Sequence, residues 1–273
     1  MTQDFSWQRS GRLLSLGAVV LLAACGVSQQ QEVQMGQQEV QQVNAQLPIV
    51  TDVAVNRYLN ILGDSLAHVT SRADLDWHFY MVNTNDFNAF ALPGGYIYVN
   101  RGVAERSDYM DQFASVIAHE IGHVVLRHSV KQMEQMQGAN LGVTLACALT
   151  GVCNNQVAAA AINVGGTAVF AKFSRTDEVQ ADEGGFKNEM NAGLNPRGML
   201  TFFQKLLAEE QRSGGSGATA GWFADHPGTQ DRIADVQRML SQVPASTLNS
   251  LRNDSNAFQS MKQRMSQLPV ASR

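Results

Sequence analysis

The chain is expected to fold as a mostly helical α+β domain with a small β-sheet roofing a cleft. Three observations predict this. Apolar residues recur at three- and four-residue steps in several separated stretches, which is the signature of helices with one buried face. Between the first two such stretches the pattern changes to alternation, broken by Pro93-Gly94-Gly95, as expected for strands joined by a tight turn. With 44% hydrophobic and 16% charged side chains in 273 residues, the chain can bury a substantial core. A net charge of −4 with no basic stripe argues against nucleic acid as a partner.

The first 25 residues are read as a targeting segment. Arg9 and Arg12 precede the apolar run Leu13 to Leu22, which is too short for a permanent membrane span. The run ends in Leu22-Ala23-Ala24-Cys25-Gly26, which resembles a bacterial lipobox. That resemblance implies cleavage before Cys25, lipidation of Cys25 and attachment to the membrane, with Gly26 in place of aspartate implying outer-membrane sorting. A plain secretory signal is the alternative. Residues 26–48 are glutamine-rich and are expected to be a tether, since no face is apolar enough to favour a docked helix. A globular unit is expected over 49–243 and a polar tail over 244–273.

Within the unit, Val55, Leu59, Leu62, Leu66 and Val69 predict a first helix over Thr51 to Val69. Trp77, Phe79 and Met81 alternate against His78 and Tyr80, predicting a strand over Leu75 to Val82. His68 and His78 have no neighbour at metal-ligand spacing and are read as structural or surface residues. The run from Asn88 through Pro93-Gly94-Gly95 to Val99 reads as strand, turn, strand.

Ser107 to Met136 carries the chemistry. Tyr109, Met110, Phe113, Val116, Ile117, Ile121 and Val124 fall at helix spacing, with Ser107 as the expected N-cap and Asp108 and Asp111 in the first turn. Inside lies His119-Glu120-Ile121-Gly122-His123. At about 100° per residue the two histidines project roughly 40° apart, so both imidazoles can reach one metal ion. Glu120 projects into the apolar arc, which is costly unless a metal-polarised water partners it. An H-E-x-x-H motif of this kind reads as a zinc peptidase site, with Glu120 as general base. The bland alternative is a pair of helix-edge histidines beside a solvated glutamate.

The Asn88-Ala89-Phe90-x-x-Pro-Gly-Gly-x-Ile-x-Val run leading into H-E-x-x-H resembles the forty-eighth metallopeptidase family, which includes the CAAX prenyl proteases, HtpX and periplasmic lipoprotein proteases. The resemblance implies a gluzincin fold and one zinc ion. It implies that the strand at Asn88, Ala89 and Phe90 pairs with extended substrate, against the alternative of a core hairpin that supports the helix. Glu178-Val179-Gln180-Ala181-Asp182 matches the family's E-x-x-A-D element, making Glu178 the third zinc ligand and Asp182 the group that orients a ligand histidine. Three ligands leave an open position for water, the catalytic arrangement. Asp225-His226-Pro227 followed by Arg232 resembles the last family motif, which implies that His226 and Arg232 meet substrate carbonyl or developing oxyanion. Turn capping is the alternative for His226, and an ion pair to Glu178, Asp182 or Asp225 is the alternative for Arg232.

The rest is scaffold. Glu134 and Lys172 bound a stretch without charge, broken by glycines, which predicts two helical pieces packed on the domain or lying over the cleft. A membrane-inserting hairpin is the other option. With Cys25 lipidated, Cys147 and Cys153 are a candidate disulfide. Ser174 with Asp177 predicts a capped helix ending at Gly193, and Asn195-Pro196 opens another through Met199, Phe203 and Leu206. Gly214 to Gly217 reads as a flexible loop. A helix through Arg232, Ile233, Val236 and Leu240 follows, and beyond Pro244 at most a weak helix near Phe258 to Met265 is expected.

The absence of long hydrophobic spans sets the chain apart from HtpX and the prenyl proteases and likens it to the periplasmic lipoprotein members. Cleavage of misfolded or misassembled envelope polypeptides is the implied activity, with outer-membrane assembly machinery as a candidate partner. An assembly factor with latent proteolysis is the main competitor, and a zinc-storage or structural site closed by His226 is a weaker one.

Overall fold

The structure, a computed structural model, describes residues 26–136, 172–213, 222 and 225–271. At its centre is helix α4 (Met110–Val125), in which every residue from Met110 to Val124 is buried. The elements before it are α1 (Gln29–Gln46), α2 (Val53–Ala67), β1 (His78–Val82), β2 (Ala89–Leu92), β3 (Tyr96–Asn100) and α3 (Arg101–Arg106). After it come α5 (Arg175–Asn191), α6 (Arg197–Ser213), α7 (Thr229–Ser241), α8 (Ala245–Ser250) and α9 (Asn256–Ser266). This is an α+β architecture, as the sequence predicts.

The sheet has strand order β1-β3-β2, with β1 parallel and β2 antiparallel to β3. The turn between β2 and β3 needs the positive φ of Gly94 (84°) and Gly95 (104°), which other residues adopt only with strain. Alternation divides the two faces. Phe79, Met81, Ala89, Ile97 and Val99 join the main core against α2 and α4, while Leu92, Tyr96 and Tyr98 face Val43 of α1. On that second face Tyr98 stacks between Tyr80 and Phe90, each pair with ring centroids 4.8 Å apart. β2 is left as an edge strand.

Three expectations are corrected. The glutamine-rich stretch is no tether: Ser28 and Gln31 form a capping box, and α1 docks through the buried carboxylate of Glu32 together with a few apolar contacts of Val33, Val40 and Val43. Glu32 accepts from Arg72 at 2.7 and 3.1 Å, from Arg127 at 2.8 Å and from the Gly94 amide at 3.3 Å. With a charge at the centre of the docking and only three valines beside it, the apolar stripe is too sparse to read. The start of α4 also differs, since Ser107 ends α3 and α4 begins after Tyr109 with no side-chain cap. Finally, the polar tail is part of the core. Ser255 caps α9, whose Phe258, Met261 and Met265 are buried on one face, with the Phe258 ring 5.7 Å from that of Phe113 on α4. Among the described residues no helix is long and apolar enough to cross a membrane. The expectations for residues 1–25, for most of the uncharged stretch with its Cys147–Cys153 pair, and for Gly214 to Gly217 lie outside the described residues.

Two outcomes test this packing. Phe258→Ala should lower unfolding stability by about 3–5 kcal/mol in a urea titration, as for other emptied aromatic sites. Asp111, buried near the start of α4 with Oδ1 unpartnered, is pushed up to about 7 by burial, with the Asp254 charge adding to the effect. A carboxyl raised above its unfolded value binds more protons in the fold, so it costs stability as pH rises from about 4 to about 7. Asp111→Asn removes that cost, and its urea midpoint should gain on the wild type across that window and not below it.

Candidate metal centre

Helices α4 and α5 lie close enough for side chains one turn apart on each to meet. A Cβ on Gly122 would come within 2.7 Å of the Ala181 carbonyl oxygen, and one on Gly185 within 3.1 Å of the Ala118 backbone, so only small residues allow this approach. It carries His119 and His123 of α4 to Glu178 and Asp182 of α5. The Ser174–Asp177 capping box that starts α5 fixes the phase, with Asp177 N donating to Ser174 Oγ at 3.2 Å and Ser174 N to Asp177 Oδ2 at 3.1 Å.

His119 Nε2 and His123 Nε2 face each other at 3.0 Å. Glu178 spans them, Oε2 lying 3.4 Å from His119 Nε2 and Oε1 3.4 Å from His123 Nε2. His226 Nδ1 closes the group, 3.3 Å from His119 Nε2 and 3.2 Å from Glu178 Oε1. All four residues are buried, and the donor atoms lie within 4.8 Å of one another. Ligands at the usual 2.0–2.1 Å around a tetrahedral ion stand about 3.3 Å apart, which is the spacing found here.

Charge gives a second test of fit. Glu120, Glu178 and Asp182 are each at most 1% exposed, and Arg232 is the guanidinium among them. Three carboxylates against one guanidinium leave an imbalance of two charges, which a divalent cation would remove. Both oxygens of Glu120 lack a hydrogen-bond partner, and burial raises its carboxyl above the usual range. For Glu178 burial acts upward too, but His226, Arg232 and His119 outweigh it and hold the carboxyl well below its ordinary value. Burial and Arg232 push His119 down while Asp182 and Glu178 lift it, to about 9, whereas burial keeps His123 well below its ordinary value. Asp182 and Glu178 thus favour a positive charge at His119, while burial disfavours one at His123, whose Nε2 lies 3.0 Å away.

Asp182 orients the first histidine. His119 Nδ1 donates to Asp182 Oδ1 at 2.8 Å, and Arg232 grips both oxygens of Asp182, at 2.6 and 2.7 Å. Arg232 Nη1 also sits 2.8 Å from Glu178 Oε2, as an ion pair without hydrogen-bond alignment. Its guanidinium lies 4.3 Å over the Phe203 ring. Of the two readings for Arg232, its contacts are those of the ion pair.

His226 precedes Gly228, whose φ of 85° starts α7, and the Trp222 ring stacks on it at 4.4 Å. His226 Nε2 lies 3.5 Å from both Glu120 Oε1 and the Ala89 carbonyl oxygen, so one imidazole touches the donor set, Glu120 and β2. Asn88 ties that strand to the histidine loop, its Nδ2 donating to Asp225 Oδ2 at 3.0 Å. Phe90 instead stacks on Tyr98 beneath α1. Cys25, Cys147 and Cys153 lie outside the described residues.

Trp222, Phe173 and His128 were not singled out by sequence reasoning. Phe173 stacks on His123 at 4.0 Å, and His128 Nδ1 meets His123 Nδ1 at 2.9 Å. No spacing rule marks a histidine five residues past His123, and Phe173 lies just before α5, outside any helix or strand.

Glu178→Gln should weaken metal binding by more than the roughly 10–100-fold that loss of an outer hydrogen-bond partner costs, measured by chelator competition.

Residues 54–240 match Peptidase family M48. The chain is 31% identical over 220 residues to the beta-barrel assembly-enhancing protease of Escherichia coli O157:H7, covering 78% of this chain and 44% of that protein. It is 27% identical over 233 residues to the metalloprotease LoiP of Escherichia coli K12, covering 85% and 89%. To the mitochondrial metalloendopeptidase OMA1 of Schizosaccharomyces pombe it is 28% identical over 197 residues, covering 71% and 56%. The chain thus spans a little under half the length of the assembly-enhancing proteases it matches. Matched over most of its length, with the helices that carry His119, His123 and Glu178 inside the matched span, the chain belongs to peptidase family M48.

Proposed function

We propose that the chain is a zinc-dependent endopeptidase of the bacterial cell envelope, held at the periplasmic face of the outer membrane by lipidated Cys25. Its substrates are misfolded or misassembled periplasmic and outer-membrane polypeptides. The observation that carries the reading is Glu120: a fully buried carboxylate with both oxygens unpartnered, beside two imidazoles and a second carboxylate at metal-ligand spacing. Such a group is costly to keep unless a reaction uses it.

His119, His123 and Glu178 would hold the zinc. When bound, zinc supplies a Lewis acid that polarises water and the scissile carbonyl. Glu120 takes the proton from the attacking water and passes it to the leaving amine, a transfer suited to a carboxyl whose affinity for protons burial has increased. Asp182 and Arg232 keep the His119 ring in register through the turnover. His226 reaches toward the substrate oxygen from beside Glu120. The edge of β2, whose Ala89 carbonyl points at His226, offers backbone groups to an extended polypeptide, with Asn88 and Asp225 fixing its approach.

A second reading is favoured by one observation: His226 Nδ1 stands within the donor set, where it would complete a closed four-ligand site. A site so closed is latent until His226 turns away, which suits an assembly factor that binds client strands and seldom cleaves. The name of the assembly-enhancing relatives joins the same two roles.

Glu120→Gln separates them. In the protease reading the variant keeps its metal, cleaves casein about 10²–10⁴-fold more slowly and fails to replace the wild type in the cell. Wild-type cleavage by a metal-loaded Glu120→Gln protein would sink that reading, and full complementation by an inactive one would establish the assembly role.

A further inference from the structure

The two histidines of α4 turn their Nε2 atoms to the donor set, so each Nδ1 points outward and needs a partner of its own. The two partners differ in kind. His119 Nδ1 has a carboxylate, Asp182, backed by Arg232. His123 Nδ1 has another imidazole: Nδ1 of His128, at 2.9 Å, on a ring that is itself buried.

The chain is shaped to put that ring there. After Val125 the helix ends, Arg127 takes a left-handed φ of 57°, and helix resumes over 128–136 with His128 as its first residue. A positive φ at a residue with a side chain costs energy and persists where surrounding contacts require it. Those contacts are present, since Arg127 is held by Glu32 and by the Val27 carbonyl. On its far side His128 Nε2 lies 3.2 Å from Gln180 Oε1 and 3.7 Å from Asp177 Oδ1. Both belong to α5, on either side of Glu178 in sequence.

Proton placement along this row follows from one condition. A histidine that binds metal through Nε2 carries its proton on Nδ1 and donates it. His128 Nδ1 must then accept, which puts the proton of a neutral His128 on Nε2, facing the Gln180 oxygen. The donors of His123 and His128 along this row then each meet an acceptor, and the opposite tautomer would set two N–H groups against each other at 2.9 Å.

We propose that His128 is a positioning residue for the metal-binding His123, accepting the His123 Nδ1 proton and locked in the Nε2–H tautomer by Gln180 with Asp177. The assignment rests on the metal-site reading above. It makes α5 the common anchor of both ligand histidines: Asp182 holds one directly, and Gln180 holds the other through a neutral ring.

The test uses the purified full chain in detergent, with zinc affinity read by chelator competition and the melting temperature of the metal-free form read alongside. His128→Phe should weaken zinc about 10–100-fold while leaving the metal-free melting temperature near that of the wild type. His128→Asn, whose Oδ1 can stand where Nδ1 stood, should recover most of the loss. Zinc affinity in His128→Phe equal to wild type overturns the proposal, as does His128→Asn no better than His128→Phe, which would leave only packing. The tautomer is read on the wild type by long-range proton–nitrogen NMR of the zinc-loaded protein. A proton on His128 Nε2 is expected, and one on Nδ1 overturns the assignment whether or not the variants fold. A wild type that binds no zinc would overturn the metal-site reading itself, an outcome distinct from these.

Discussion

The structure depends on how near two helix backbones come to each other. Where α4 crosses α5, Gly122 sits against Ala181, where even a Cβ would come within 2.7 Å of a backbone oxygen, and Gly185 lies tightly against Ala118. That approach decides the reach of every side chain in the candidate metal centre, because imidazole and carboxylate are short and donor atoms that share an ion must meet at about 3.3 Å. It also explains the burial of α4 from end to end. With α5 on one side, α2 and the sheet on another and α6 near its start, the motif helix is wrapped by the rest of the fold. A β-branched residue at 122 would separate His119 and His123 from Glu178 without touching any of them.

The same closeness creates an electrostatic problem that the sequence solves by pairing unlike groups. Arg232 is almost wholly buried, and a guanidinium there is tolerable only because Asp182 takes it bidentately, Glu178 lies beside it and the Phe203 ring covers its face. Removing any of these charges leaves another stranded. The site is therefore a matched set, in which the ligand carboxylate, the orienting carboxylate and the arginine stand or fall together.

Much of this was legible in the sequence, and what was legible shares a cause. Helix α4, the capping box of α5, the β2–β3 turn and the ligand pairs announce themselves by local spacing, because one turn of helix or one tight turn fixes the relation. The elements that escaped are those whose place is set by contacts distant in sequence. Helix α1 has almost no apolar stripe, and its docking by Glu32 to Arg72 and Arg127 needs partners 40 and 95 positions away. Helix α9 buries only Phe258, Met261 and Met265 on an otherwise polar surface, too sparse a signal to separate core from tail. Ser107 as a cap was a reasonable expectation from residue type, yet the chain had already used it to close α3. His128 is invisible to pattern altogether, since its role follows from a left-handed residue just before it.

The docking of α1 bears on where the cleft can work. Val27 is already fixed, its amide donating to Glu134 at 2.7 Å and its carbonyl accepting from Arg127, and the helix begins two residues later. With Cys25 acylated as proposed, only Gly26 to Ser28 separate the lipid from the first turn of α1, a reach of about 10 Å. The catalytic unit would not roam the periplasm on a leash. It would be held close to the bilayer, with the first turn of α1 within about 10 Å of the acylated residue.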